Sequence, residues 1–191
     1  MGSDQEHRES ELLAEFTRRA AALGVVVARH AGSDGLARAI AAYALEVQAS
    51  DVLVAAELAA AAPALSRSLS AGQLSWSVPE EPGQTRDARL GVSLGLAAVA
   101  ETGSVLLAEE SLPDRGIGML AAVQVIVCPA GWLVPSLDQA VPLLRALALK
   151  PGGAYVTLVT GPSRTADIER VLTVGVQGPG RVIVLFVDEL T

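Results

Sequence analysis

Short, strongly aliphatic runs recur along the chain at residues 25–27, 51–55, 90–93, 103–108, 123–128, 155–160 and 181–187, separated by polar, helix-patterned or glycine-bearing segments. Apolar runs of about four to six residues without polar alternation suit strands covered on both faces, the condition of a parallel sheet between helices. Upstream of the first run, Leu12, Leu13, Phe16, Ala20 and Leu23 recur at helical spacing over 9–23, and Gly24 follows as a stop. Ser33 and Asp34 offer a hydroxyl and a carboxylate to cap a second helix reaching Gln48, and 63–71 reads as a third. Ser136 with Gln139 has the spacing of a capping box for a helix through Leu147, which Pro142 should bend or shorten. The expected fold class is α/β, a Rossmann-like and mostly parallel sheet with helices on both faces. Residues 1–10 read as a flexible polar tail, 11–191 as one domain, and 79–89 as an exposed loop or a cover over one sheet edge.

Composition narrows the function. The chain is 51% apolar but 3% aromatic, so its core must rest on small and branched side chains. Its net charge is −7, no basic cluster is longer than Arg18-Arg19, and Lys150 is the only lysine. Nucleic-acid readers present a basic stripe to phosphates, so no nucleic-acid partner is expected. The single cysteine, Cys128, followed by Pro129, reads as a buried, inert thiol, and alone it holds neither a disulfide nor an iron–sulfur cluster. The histidines, His7 and His30, lie far apart, so no metal site is expected. The charge-free stretch after Arg115 is interrupted by Gln124, Pro129, Gly131 and Pro135 and reads as a buried strand and loop rather than a membrane span. The polar N-terminal stretch lacks a signal-peptide core, and the expected location is cytoplasmic.

Two segments carry candidate chemistry. Gly161-Pro162-Ser163-Arg164-Thr165-Ala166-Asp167-Ile168-Glu169 follows an apolar run ending at Thr160 and reads as a strand-to-helix loop at a carboxyl sheet edge, where ligands bind in open α/β folds. There Arg164 is either the anchor of a carboxylate or phosphate or the ion-pair partner of Asp167 or Glu169. Glu101-Thr102-Gly103-Ser104 places a carboxylate beside a glycine turn and two hydroxyls, which suits a general base or acyl acceptor and equally suits a surface turn. Gly175-Val176-Gln177-Gly178-Pro179-Gly180 reads as a structural turn, and the chain contains no Gly-x-Gly-x-x-Gly fingerprint. Lys150 reads as a helix-end charge, while Trp76 and Trp132 suit either a pocket wall or a subunit contact.

In the order Ala-Glu-Thr-Gly-Ser-Val (100–105), Gly-Pro-Ser-Arg-Thr-Ala-Asp-Ile-Glu (161–169) and Gly-Val-Gln-Gly-Pro (175–179), these segments resemble the LutC-like, LUD-domain family from about Leu12 to Glu189. The resemblance implies a fold of the NagB/RpiA/CoA-transferase group and a role in lactate utilisation, the oxidation of L-lactate to pyruvate with iron–sulfur partner proteins. It implies no cofactor held by this chain alone, with the clusters in the partners. It further implies a small-carboxylate site at the sheet's carboxyl edge, with Glu101 as catalytic candidate and Thr102, Gly103, Ser104, Gly161, Ser163, Arg164, Thr165, Asp167, Gln124, Gln177 and Gly178 in binding. Gln124 and Gln177 stand where the family pattern has histidine, which keeps hydrogen-bonding capacity and removes groups that titrate near neutrality. The alternatives are an independent enzyme acting on a CoA ester or sugar phosphate, and a non-catalytic assembly subunit.

Overall fold

The computed structural model describes residues 2–166, 172–174 and 178–190. The chain opens with α1 (Gly2–Ala22), β1 (Val26–His30), α2 (Ser33–Glu46), β2 (Val52–Val54), α3 (Ala56–Ala61), α4 (Pro63–Ala71) and β3 (Trp76–Ser77). It continues through β4 (Leu90–Leu94), β5 (Ala97–Val99), β6 (Ser104–Ala108), α5 (Leu112–Leu120), β7 (Val123–Pro129), β8 (Leu133–Val134) and α6 (Leu137–Ala148). Then come β9 (Val156–Val159), β10 (Arg164–Ala166), β11 (Leu172–Val174) and β12 (Arg181–Val187).

The expected α/β architecture is present. Six strands in the order β1-β12-β7-β4-β2-β3 form an all-parallel sheet. Val52, Val54, Leu90, Val92, Val125, Val127, Ile183 and Leu185 pack against Leu36 and Ile40 of α2, Leu58 of α3, Leu65 and Leu69 of α4 and Ile117 of α5. The alternate positions Ile126, Cys128, Val182, Val184 and Phe186 meet Phe16 and Ala20 of α1 together with Ala98, Val105 and Leu107. The chain's two phenylalanines, Phe16 and Phe186, meet edge to face at 5.1 Å. The rest of this interlayer is aliphatic, as the composition requires.

Runs 103–108 and 155–160 leave that sheet. They belong to a second, four-stranded sheet in the order β8-β5-β6-β9, in which β6 is antiparallel to both β5 and β9. The switch is made at Gly95, where a Cβ would lie 2.6 Å from Val105 Cγ1 and 3.2 Å from Ile126 Cγ2. A residue without a side chain is what lets the second sheet close on the first. On its other face, Ala97, Leu106 and Ala108 receive Leu147 of α6.

Several local expectations change. The segment 1–10, read as a flexible tail, is helical from Gly2, so α1 begins seven residues before Glu9. Its exposed side carries the His7–Glu11 contact and the Arg18 and Arg19 pairs with Glu15, i,i+3 and i,i+4 contacts that favour a helix. Helix α5 was hidden in the sequence, although Ser111, Pro113 and Asp114 are a complete start signal: Ser111 Oγ accepts from Asp114 N at 3.0 Å. Pro142 does not shorten α6, because it lies on the exposed side, where the freed carbonyl of the preceding turn meets solvent. Segment 79–89 is a cover with its own short 3-10 turn (Pro82–Thr85), and it sends fully buried Thr85 against Gly116 of α5.

Candidate functional site

The motif residues assemble, but not at the parallel sheet's carboxyl edge. Strand β9 runs in the second sheet and delivers its end to the amino end of β1: a Cβ on Gly161, at φ +107, would meet Leu23 Cβ at 3.3 Å and Val25 Cγ2 at 3.8 Å. Gly103, at φ +67, lies against the last turn of α1, where a Cβ would come 2.6 Å from Ala20 N. Ser104 Oγ and Thr160 Oγ1 share a 2.8 Å hydrogen bond. Ser163 N donates to Pro179 O at 3.0 Å, and Gly178 stands over Ser163 Cβ. Thr102 Oγ1 is buried without a partner. Thr102, Gly103, Ser104, Gly161, Ser163 and Gly178 therefore share the amino-terminal side of the parallel sheet.

The loop expected to open a helix instead enters a two-stranded ribbon: β10 pairs antiparallel with β11, with Arg164 opposite Val174 and Thr165 opposite Thr173. Asp167 and Gln177 lie outside the described residues. Glu101 is in the turn between β5 and β6, and its Oε2 accepts from Leu137 N at 3.3 Å. That carboxylate serves the first turn of α6 in place of Ser136, whose side chain makes no cap bond. Cys128 is buried as expected, and that burial pushes its thiol up to about 12. Lys150 pairs with Glu110 at 2.6 Å, and that carboxylate holds the ammonium above its usual range.

The carboxyl edge carries a different set of groups. Beyond β1, a cleft of about 720 Å³ is lined by His30, Ser33, Asp34, Arg38, Arg67 and Glu189, among others. The expected side-chain cap of α2 is missing there. Gly32 is the N-cap and makes no side-chain bond, and Leu36 N is the first amide to find a carbonyl, that of Gly32. Asp34 accepts instead from Ser68 Oγ at 2.6 Å, tying α2 to α4. His30 Nε2 and Ser33 Oγ are both buried without partners. Among the described residues, neither Arg38 nor Arg67 makes an ion pair or hydrogen bond, whereas the nearby Arg29 is bound to Asp188 at 2.6 Å. Two unpaired guanidinium groups and an uncapped helix start line one cleft, together with the carboxylates of Asp34 and Glu189. The guanidinium forks and free helix amides suit a carboxylate or phosphate. The sequence signal was the Gly-Ser-Asp-Gly turn after an aliphatic run, and a capping interpretation concealed it.

A second polar cluster is buried. Gln124 and Ser93, 1% and 0% exposed, lie on neighbouring strands β7 and β4, and Gln124 Nε2 donates to Ser93 Oγ at 3.2 Å. Gln124 is thus an interior residue. Glu109, just beyond β6 and 7% exposed, reaches the same point, and burial raises its carboxyl to about 7, with the charges of Asp114 and Glu57 adding to the effect. Nothing in the sequence marked Glu109, which reads as the first polar residue after an apolar run.

Helices packed on an all-parallel six-stranded sheet, with a smaller mixed sheet beside it, define the class to which this chain belongs. The LUD domain profile matches residues 13–187, and the protein is a member of the LUD-domain family. Among curated relatives, Lactate utilization protein C 1 of Bacillus mycoides (strain KBAB4) is 36% identical over 104 residues, covering 53% of this chain and 44% of the relative. Lactate utilization protein C of Macrococcus caseolyticus (strain JCSC5402) is 32% identical over 104 residues, covering 53% and 45%. These alignments span less than half the length of the relatives. A DUF162 family protein from Deinococcus radiodurans shares the fold with a TM-score of 0.69 at 21% identity, over 94% of this chain and 98% of that one. Among the described residues no helix is long and apolar enough to cross a membrane.

Proposed function

We propose that the protein is a component of lactate utilisation that binds a small carboxylate, lactate or pyruvate, and works with iron–sulfur partner proteins that carry the electrons. The observation that carries this reading is the family match over 13–187 together with relatives named Lactate utilization protein C. The redox centre belongs, in this proposal, to the partners.

The carboxylate site we assign is the cleft beyond β1. A fork from Arg38 or Arg67 would bind the carboxylate in bidentate fashion, and the first amides of α2 would complete the anion's hydrogen bonds. Glu101, committed to α6, takes no part.

The size of the cleft favours a second reading. At about 720 Å³ it accommodates much more than lactate, and the same donors would hold the phosphate of a CoA ester or sugar phosphate. Calorimetric titration with lactate, pyruvate, a sugar phosphate and CoA distinguishes the two, using Arg38→Ala and Arg67→Ala as controls. Lactate oxidation by the reconstituted system, with and without this chain, tests the wider role. Full activity with the chain omitted would overturn it and leave an assembly role or an unrelated activity.

A further inference from the structure

Glu109, Gln124 and Ser93 meet where β4, β7, the end of β6 and α5 converge, in a mainly aliphatic interior. The meeting point is Gly118 of α5: a Cβ there would lie 3.2 Å from Gln124 Nε2 and 3.4 Å from Glu109 Oε1. Two oxygens in this pocket are buried without a hydrogen-bond partner, Glu109 Oε1 and Gln124 Oε1. The pocket has surplus acceptors, and an uncharged carboxyl is the one member that could bring an additional donor, its own O–H.

The surroundings leave an ionised Glu109 poorly compensated. From α3 comes Glu57, whose Oε1 accepts from Glu110 N at 3.0 Å and whose carboxyl burial holds above its usual range. From α5 come Asp114, 1% exposed, which accepts from Ala56 N at 3.0 Å, and Arg115. Arg115 is spent elsewhere: Nε donates to Glu109 O at 3.0 Å, Nη2 to Glu110 O at 3.3 Å, and the guanidinium lies 4.5 Å from the Tyr155 ring centre. From beyond α6, Lys150 is bound to Glu110. From β4, the Ser93 hydroxyl favours the ionised form of Glu109, and from β7 Gln124 Nε2 donates to Ser93 Oγ at 3.2 Å.

We propose that Glu109 is a pH latch: uncharged, it seals the junction of the two sheets with α5, and charged, it loosens α5 from that junction. The transition falls near neutral pH, since the carboxyl is pushed to about 7. Helix α5 is the element that responds because it carries both the Gly118 contact and the Asp114 tie to α3. Solvent entering to hydrate the carboxylate separates α5 from β4 and β7 before it disturbs the rest of the parallel sheet.

Two measurements on the whole chain test this. Infrared difference spectra recorded between pH 5 and pH 9 should contain the C=O band of a buried protonated carboxyl that disappears with a midpoint near 7, and the band should be missing in Glu109→Gln. Hydrogen exchange of the amides in α5, corrected for the intrinsic pH dependence, should be about tenfold faster at pH 8.5 than at pH 6 in the wild type. It should be flat in Glu109→Gln and unchanged from wild type in the surface control Glu110→Gln. A carboxyl band lost by pH 5.5, or α5 exchange with no corrected pH dependence, overturns the proposal. The wild-type measurements decide it even if Glu109→Gln fails to fold.

Discussion

The cleft beyond β1 and the pocket around Glu109 are mirror images in hydrogen-bonding terms. The cleft is open and rich in donors: an uncapped helix start and two arginines, Arg38 and Arg67, that are unpaired among the described residues. The pocket is closed and has acceptors in excess, with orphan oxygens on Glu109 and Gln124. An exposed excess of donors costs little, since water satisfies it until an anion arrives, whereas a buried excess of acceptors is costly unless a proton joins it. One region is therefore suited to exchanging a ligand with the medium and the other to exchanging a proton.

The sharpest way to break the comparison is to remove the donors. Arg38→Ala with Arg67→Ala is expected to weaken anion binding by about a hundredfold or more, since each charge-assisted bond contributes ~1.5–3 kcal/mol. Titration calorimetry reads the change, and unaltered affinity would remove the cleft from the proposed function. Next comes the proton. Because the folded Glu109 carboxyl is raised from 4.5 to about 7, the unfolded chain releases its proton first as pH rises. Stability should then fall between about pH 4.5 and 7 and level off above, by at most ~3 kcal/mol for this residue. Denaturant titrations across that window should show the fall in the wild type and little of it in Glu109→Gln.

Smaller effects sharpen the framework that holds the two regions. Gly95→Ala drives a methyl into Val105 and is expected to cost ~1–3 kcal/mol, read as a lower denaturation midpoint. Glu101→Ala removes the acceptor at Leu137 N and should cost ~1 kcal/mol without affecting ligand affinity; a large loss of turnover with intact stability would restore Glu101 as a catalytic group. Ser33→Ala should leave both stability, within ~0.5 kcal/mol, and anion affinity unchanged, because its buried hydroxyl has no partner to lose.

The parallel sheet was legible because uniform aliphatic runs have few other uses, and strands β2, β4, β7 and β12 lie where those runs predict. Whether a run joins a parallel or an antiparallel sheet is not written in its own residues. For 103–108 and 155–160 the decision rests on the close approach at Gly95, a contact between distant segments. Thr102, Gly103, Ser104, Gly161, Ser163 and Gly178 lie on one side of the sheet, but placing them at the carboxyl edge required β9 to run in the parallel sheet, and it does not. Glu109 could not be found from sequence because its character comes from neighbours on α3, β4, α5 and β7 that only the fold assembles.

The order of assembly follows from the place of β12. This strand lies between β1 and β7, pairing Ile183 with both Val26 and Val125, so the sheet's interior is completed by residues near the end of this chain. During synthesis β1 must wait for some 150 residues before its hydrogen-bonding partner leaves the ribosome. The first βα unit, which lends β1 and α2 to the cleft, is thus secured only when β12 arrives.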